Sequence, residues 1–151
     1  MIEIVKWLLI SVAVVVVLGV IAFVAMAVQS HSEPENLGLQ SGQLRPCPTS
    51  PNCVCSESHA QSSEQHAINP VKLAERSWQE MREAIVSAGG EIQQDSAVYL
   101  HATFTTPLFR FVDDVELRLD DPAGVIHIRS ASRVGRSDFG VNRKRVTQLL
   151  Q

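Results

Sequence analysis

The side chains best suited to binding or catalysis lie in two stretches of the second half of this sequence. Three acids belong to the first stretch: Asp113, Asp114 and Glu116. The second stretch is rich in arginine, and its candidate binding residues are Arg129, Ser130, Ser132, Arg133, Arg136, Asn142 and Arg143. If the two stretches form neighbouring strands, an acid can pair with an arginine through two parallel hydrogen bonds. Asp114 or Glu116 is then the expected partner of Arg129.

Three interpretations of this polar cluster follow from its residue types. The favoured one is an ion-pair network that locks the loop after the last strand, in which Asp138 pairs with Arg133 or Arg136. The second is a site for an anion or a lipid headgroup, built from Arg129, Arg133 and Arg136 with the intervening serines as donors. The third is an enzyme, which requires the acids and arginines to converge in one cleft. We assign no catalytic residue.

Three cysteines stand close together in a proline-rich loop, at Cys47, Cys53 and Cys55. The prolines of this loop stiffen it and exclude a helix through it. In an oxidising compartment the first two cysteines favour a small disulfide loop, and Cys47–Cys55 is the alternative pairing. A bond between Cys53 and Cys55 is disfavoured because the two side chains lie too far apart in an extended chain.

Zinc or copper binding is the competing interpretation of the cysteine loop. His59 and His66 add imidazole ligands to the thiols of Cys47, Cys53 and Cys55. The spacing of these residues matches no standard zinc finger, and thiols tend to oxidise outside the cytoplasm. Nothing in the sequence pairs one of the thiols with a defined base, as cysteine catalysis requires. We accordingly predict no metal and no cofactor.

An uncharged apolar run over residues 7–28 is the clearest structural signal in the chain. As a helix rising ~1.5 Å per residue it reaches ~33 Å, enough to cross the ~30 Å hydrocarbon core of a bilayer. Ala25-Met26-Ala27 fits a signal-peptide cleavage pattern, but the run exceeds the ~7–15 apolar residues usual in a signal peptide. We therefore predict an uncleaved transmembrane anchor over residues 1–28, with a signal sequence as the alternative.

The charges beside the apolar run predict its orientation. Lys6 precedes the run, whereas residues 29–43 contain Glu33 and Glu35 and no lysine or arginine. Because lysine and arginine tend to stay cytoplasmic, we expect a single-pass inner-membrane protein with a cytoplasmic N-terminus and a periplasmic C-terminal domain. Residues 29–43 show no apolar periodicity and are predicted to be a polar linker that holds the domain off the bilayer.

Residues 44–151 are numerous enough to form one domain with its own core. A first helix is predicted over residues 71–88, because Asn69-Pro70 is a helix-start signal and a pair of glycines follows. Ser137-Asp138 predicts the start of a second helix, which runs to residue 150.

Between the two predicted helices, apolar residues recur at every second position. Three strands are predicted, over residues 97–106, 109–119 and 124–132, and a shorter one over residues 91–94 makes a fourth. This order of elements defines an α+β class: one N-terminal transmembrane helix, then a single domain with an antiparallel sheet of three or four strands flanked by two helices.

Two separated motifs, CPTSPNCV and RSASRVGRSDFGVNRKRV, with FVDDVE between them, resemble a known family. It is the bacterial and plastid domain of unknown function 1499, and the resemblance covers residues 44–151. The positions that carry it are Cys47, Pro51, Asn52, Cys53, Asp113, Asp114, Glu116, Arg129, Ser130, Ser132, Arg133, Gly135, Asp138, Gly140, Asn142 and Arg143. The family implies an exported or membrane-tethered domain without an established activity. Cys55 stands where many members are expected to have serine, which favours the pairing of Cys47 with Cys53.

Together these features predict a membrane-anchored periplasmic domain with a binding or accessory role in the cell envelope, toward anionic lipid or a partner protein. The arginines that follow residue 124 form the basic face on which this role depends. A structural accessory subunit of a membrane complex is one alternative, and an enzyme is the other. Nucleic acid is not an expected partner, because no aromatic side chains interleave with the basic ones.

Overall fold

The first element is a long apolar helix. A computed structural model describes residues 2–151, and helix α1 covers Ile2–Ser30. An 18-residue window of α1 has a mean hydropathy of 3.2, and none of that window is buried against the rest of the described chain. By length and composition α1 can therefore cross a membrane, although a signal sequence meets the same criteria.

The remainder of the chain forms a mixed domain of strands and helices. Its strands are β1 (Leu39–Gln40), β2 (Gln43–Leu44), β3 (Cys53–Cys55), β4 (Val71–Lys72), β5 (Glu91–Asp95), β6 (Tyr99–Thr105), β7 (Val112–Asp120) and β8 (Val125–Ser132). Its helices are α2 (Trp78–Ser87) and α3 (Val141–Leu149), and a short 3₁₀ turn covers Ser58–Ala60. β1 and β2 form a hairpin of their own.

The main sheet has six strands, so the prediction of three or four is wrong in number. The strand order is β3-β8-β7-β6-β5, with β4 also paired to β8, and every pairing is antiparallel. The predicted strands correspond to β5 through β8. The two additional strands, β3 and β4, have three and two residues, too few to show the alternation on which the prediction relied.

The first domain helix begins later than predicted. Val71–Lys72 is strand β4, and α2 begins at Trp78 after the N-cap Ser77. The Ser77 hydroxyl accepts from the backbone N–H of Glu80, whose carboxylate accepts from the Ser77 N–H at 2.7 Å. This capping box pairs backbone N–H groups at the start of α2. Asn69 and Pro70 cannot pair them because they lie too far before Trp78. The C-terminal end agrees with the prediction, because Gly89 follows the helix with a φ of 88°.

The apolar core lies between one face of the sheet and the two domain helices. Met81 and Ile85 of α2 and Val146 and Leu149 of α3 pack with the buried residues of this sheet face. On β7, Val115 and Leu117 point to this core, while Asp114, Glu116 and Arg118 alternate with them and point to the opposite face. Both faces of β7 are buried from Val112 to Arg118, so the opposite face is covered although it is polar.

The N-terminal segment covers the polar face of the sheet. Leu44 is buried in a small apolar cluster with Cys55 and Tyr99. The backbone N–H of Gly38 donates to Glu116 at 2.8 Å. Residues 29–43, predicted to be a spacer, thus contact the domain directly, and the boundaries 1–28, 29–43 and 44–151 stay a prediction.

Candidate functional site

The central ion pair of the polar face joins β7 and β8. Glu116 and Arg129 are register partners, and Arg129 Nη1 donates to Glu116 Oε2 at 2.6 Å. Their side chains are 0% and 1% exposed, so both charges are removed from water. The other oxygen of Glu116 accepts from the Tyr99 hydroxyl at 2.7 Å and from the Gly38 N–H. Of the two acids expected to pair with Arg129, Glu116 is the partner.

Asp114 pairs with Arg133 instead of Arg129. Arg133 donates to both Asp114 oxygens, from Nη2 at 2.7 Å and from Nε at 2.8 Å, which is the bidentate geometry expected for arginine and carboxylate. His101 Nε2 lies 2.8 Å from Asp114 Oδ1. Burial acts to raise the pKa of Asp114, but the hydrogen bonds from His101 and Arg133 outweigh it and lower that pKa. Asp114 is therefore held in its charged form.

A third ionic group on this face was missed by the sequence analysis. Arg118 donates to Glu57 from Nε at 2.7 Å and to Asp120 from Nη2 at 3.1 Å. Glu57 is buried, and although burial acts to raise its pKa, the hydrogen bond from Arg118 helps to lower it. The alternation along β7 places Arg118 on the same face as Glu116, but Glu57 lies in a loop where no pattern marks it.

The other predicted acid, Asp113, lies on the helix-covered face. Arg145 Nη2 donates to Asp113 at 2.6 Å, and its guanidinium lies 4.9 Å from the centre of the Phe104 ring. Arg145 also donates to Asn142 Oδ1, which accepts from the Ser130 hydroxyl at 2.6 Å. Asn142 is buried and connects this group to the loop after β8. Sequence reasoning missed Arg145, because the lysine and arginines of α3 look alike in a basic run.

Asp138 lies at the start of α3, beside Asn142. Asp138 accepts from the backbone N–H groups of Gly140 and Asn142, so its predicted pairing with Arg133 or Arg136 is wrong. Its short side chain instead satisfies free N–H donors at the start of α3.

The predicted site residues therefore fall into three places. Arg136 is exposed, and Arg143 donates to the backbone carbonyls of Ala67 and Gln65. Asp114, Glu116, Arg129 and Arg133 lie on the polar face, while Asp113, Ser130, Ser132 and Asn142 lie on the other. The acids are occupied as ion-pair partners, which favours a structural role over proton transfer.

The disulfide forms between the favoured cysteines. Cys47 and Cys53 are bonded, with their Cα atoms 5.6 Å apart, so the Cys47–Cys55 alternative is wrong. Cys55 is a buried free thiol, and burial raises its pKa to about 11. Because Cys47 and Cys53 are joined in a disulfide, neither has a thiolate that could bind a metal ion. His66 Nδ1 lies 2.9 Å from the Cys53 carbonyl oxygen and His59 Nε2 2.9 Å from that of Leu44.

Helix α1 is joined to the domain by specific contacts. Arg133 Nη1 donates to the carbonyl of Ser30 at 3.3 Å, and the Ser30 hydroxyl accepts from the backbone N–H of Val112 at 3.2 Å. The ring of Phe23 packs edge-on against Phe109 and Phe111, at centroid distances of 4.8 and 5.0 Å. These contacts fix the last turns of α1 against the β6–β7 loop.

Several cavities lie near this junction, and two of them bear on the site. The larger, which we call the junction groove, has a volume of about 540 Å³ and is lined by Phe23, Met26, Phe109, Phe111, Val134 and Phe139 among others. The smaller, which we call the Arg129 cavity, has a volume of about 160 Å³ and is lined by Asn36, Ser50, Asn52, Asp114, Arg129 and Arg133 among others. The first is mainly apolar and the second mainly polar.

The fold and its ionic interior define a class: a small α+β domain that follows a helix able to span a membrane. The chain belongs to the family described as Protein of unknown function (DUF1499), whose sequence model matches residues 43–151. This match confirms the resemblance found in the two motifs. No curated protein and no solved structure matches the chain.

Proposed function

We propose that this protein is a single-span inner-membrane protein whose periplasmic domain binds an anionic lipid of the adjoining leaflet in the junction groove. One observation carries the proposal. The apolar helix and the domain together form the groove, because Phe23 and Met26 come from α1 whereas Phe109 and Phe139 come from domain loops. Because one wall of the groove belongs to α1, lipid that surrounds this helix can reach the groove.

An uncleaved anchor is supported by the contacts of the last turns of α1. Cleavage after Ala27 would remove Phe23 and its packing against Phe109 and Phe111. It would also remove the Ala27 carbonyl that accepts from the Ser30 hydroxyl at 2.6 Å. The Cys47–Cys53 bond favours an oxidising compartment for the domain, and Lys6 favours a cytoplasmic N-terminus.

The exposed side chains at this end of the domain support contact with a bilayer. Phe139 is 97% exposed and Leu108 is 78% exposed, an unusual state for large apolar side chains of a domain in water. Both lie on loops beside the junction groove, and Phe109 continues the patch toward α1. Phe23 and Met26 belong to the apolar run, which supports contact between the groove floor and lipid.

The preference for an anionic headgroup rests on the charges around the groove. Arg110 and Arg136 are exposed on the two loops that carry Leu108 and Phe139. The charged residues that line the groove itself are two acids, Asp113 and Asp138. Asp113 is neutralised by Arg145, and Asp138 accepts from backbone N–H groups at the start of α3. Arg110 and Arg136 form no ion pair within residues 2–151, and each favours anionic lipid by about 1 kcal/mol near the surface.

Photocrosslinking of the full chain in lipid nanodiscs tests this function. The nanodiscs contain phosphatidylglycerol or phosphatidylcholine with a photoreactive group in one acyl chain, and crosslinked peptides are mapped by mass spectrometry. We expect crosslinks at Phe109, Val134 and Phe139, several-fold stronger with phosphatidylglycerol, and lost as salt screens the arginines.

A pair of matched variants makes the test specific. Phe139→Asp places a charge on the groove wall and is expected to reduce crosslinking several-fold. Val86→Asp makes the same kind of change on α2, where Val86 is 51% exposed and does not line the groove, and should leave crosslinking unchanged. Crosslinks confined to α1 would contradict lipid binding in the groove, and equal labelling with the two lipids would contradict the preference for an anionic lipid.

A further inference from the structure

The Arg129 side chain presents an unused donor edge. Its hydrogen bond within residues 2–151 runs from Nη1 to Glu116. Nε is buried and has no hydrogen-bond partner among those residues. Nε–H and the neighbouring Nη2 form the planar side of the guanidinium that binds two oxygens of one group at once. A buried donor left in this state is unfavourable, so a partner that accepts from it is favoured.

Arg129 belongs to the lining of a small polar cavity. Arg129 lines the 160 Å³ cavity between the sheet, the disulfide loop and the N-terminal segment. Ser50 and Asn52 come from the disulfide loop, and Asn36 comes from the segment that covers the polar face. Asn52 is held rigidly, because its Nδ2 donates to the Gly135 carbonyl at 2.8 Å while its Oδ1 accepts from the Ser50 hydroxyl at 2.6 Å.

The charges around the cavity limit what it can bind. Arg129 is balanced by Glu116, and Arg133 is balanced by Asp114, so these four groups carry no net charge. Asp114 also lines the cavity, but its oxygens already accept from Arg133 and His101. A doubly charged anion is therefore disfavoured, whereas one negative charge shared by two oxygens matches the free side of a single guanidinium.

We propose that the Arg129 cavity is a binding site for a singly charged oxyanion, a carboxylate or a phosphodiester, held side-on by Nε–H and Nη2–H of Arg129. The site does not depend on the junction groove, since its floor is the polar face of the sheet and not α1. It also differs from the anion site predicted from sequence. Ser130 is taken by Asn142, and Arg136 is exposed instead of lining the cavity.

NMR of arginine-labelled full-length protein in maltoside detergent tests the site, because this detergent carries no charged group. Acetate and dimethyl phosphate are titrated separately at constant ionic strength, with chloride as the balancing salt. We expect a saturable shift of the Arg129 Nε–H signal with one or both anions, and the stronger of the two identifies the source of the oxyanion. A Tm increase of about 5 °C is expected at ten times the Kd.

Variants separate binding from folding. Arg129→Lys keeps the charge, removes the side-on edge and is expected to abolish the Tm increase. If that variant fails to fold, Asn36→Phe obstructs the cavity from an exposed position and should weaken binding at least tenfold. Gln40→Phe, an equally exposed change on β1 outside the cavity, should leave binding intact. No saturable shift with either anion, or a shift that Asn36→Phe leaves unchanged, would overturn the site.

Discussion

Arg129 and Glu116 face each other across β8 and β7 with a 2.6 Å hydrogen bond, and both side chains are almost completely buried. Such a pair adds little stability as a whole, since removing two charges from water offsets much of their attraction. It instead makes each charge dependent on the other. The same dependence holds for Asp114 and Arg133 next to them. Each of these charged side chains on the polar face therefore requires its own partner.

Removal of Glu116 alone is therefore expected to be severe. Glu116→Ala leaves Arg129 charged and buried without its partner, and should lower the free energy of unfolding by about 3–5 kcal/mol in urea titrations. Glu75→Ala is the control, because Glu75 forms a 3.1 Å pair with Lys72 in which both side chains are largely exposed. That change should cost less than about 0.5 kcal/mol. Equal losses in the two variants would show that the buried pair is not essential.

The lowered pKa of Asp114 predicts how stability depends on pH. Because the folded pKa lies below the unfolded value of about 3.9, this carboxylate stabilises the fold fully above about pH 5. That contribution is lost as the pH falls through the folded pKa. The stability difference between the wild type and Asp114→Asn should thus be constant near neutrality and shrink below about pH 4. Urea unfolding at a series of pH values measures it, and a difference independent of pH would contradict the assignment.

The alternation of residues 109–119 and 124–132 predicted much of this arrangement. It placed Glu116 and Arg129 on adjacent antiparallel strands, and the register joins them. The pairing of Asp114 with Arg133 could not be predicted, because Arg133 follows the last residue of β8 and its direction depends on how the loop leaves the sheet. Alternation determines the face of a strand residue, and it says nothing of a loop residue.

The cover of the polar face left no signal in the sequence for a physical reason. The segment over residues 29–43 contacts the sheet largely through backbone groups. The N–H of Gly38 donates to Glu116, and the carbonyl of Ser30 accepts from Arg133. Every residue type except proline carries the same N–H and C=O groups. A polar segment without apolar periodicity therefore resembles a free spacer whether or not it is bound to a domain.

The state of the three cysteines predicts a simple labelling pattern. Cys55 is buried and its pKa is raised to about 11 by that burial, so iodoacetamide at pH 8 should not modify the native protein. In denaturant without reductant, one label should attach, at Cys55. After reduction all three cysteines should react. Peptide mapping by mass spectrometry checks this, and a label on Cys53 before reduction would contradict the Cys47–Cys53 bond.

Asn142 is expected to be more sensitive to a small change than its polar character suggests. Its Nδ2 donates to the Asn52 carbonyl at 3.0 Å, to Ser132 Oγ at 2.9 Å and to Asp138 Oδ2 at 2.8 Å. Asn142→Asp keeps the shape of the side chain but replaces this donor with a negatively charged acceptor beside Asp138. We expect the free energy of unfolding to fall by about 3 kcal/mol, because buried acceptors then face one another.

The matched control for this change is Asn69→Asp, since Asn69 is exposed. It adds the same charge where water solvates it, and should change stability by less than about 0.5 kcal/mol. A loss equal to that of Asn69→Asp would show that Asn142 does not hold β8, the disulfide loop and α3 together.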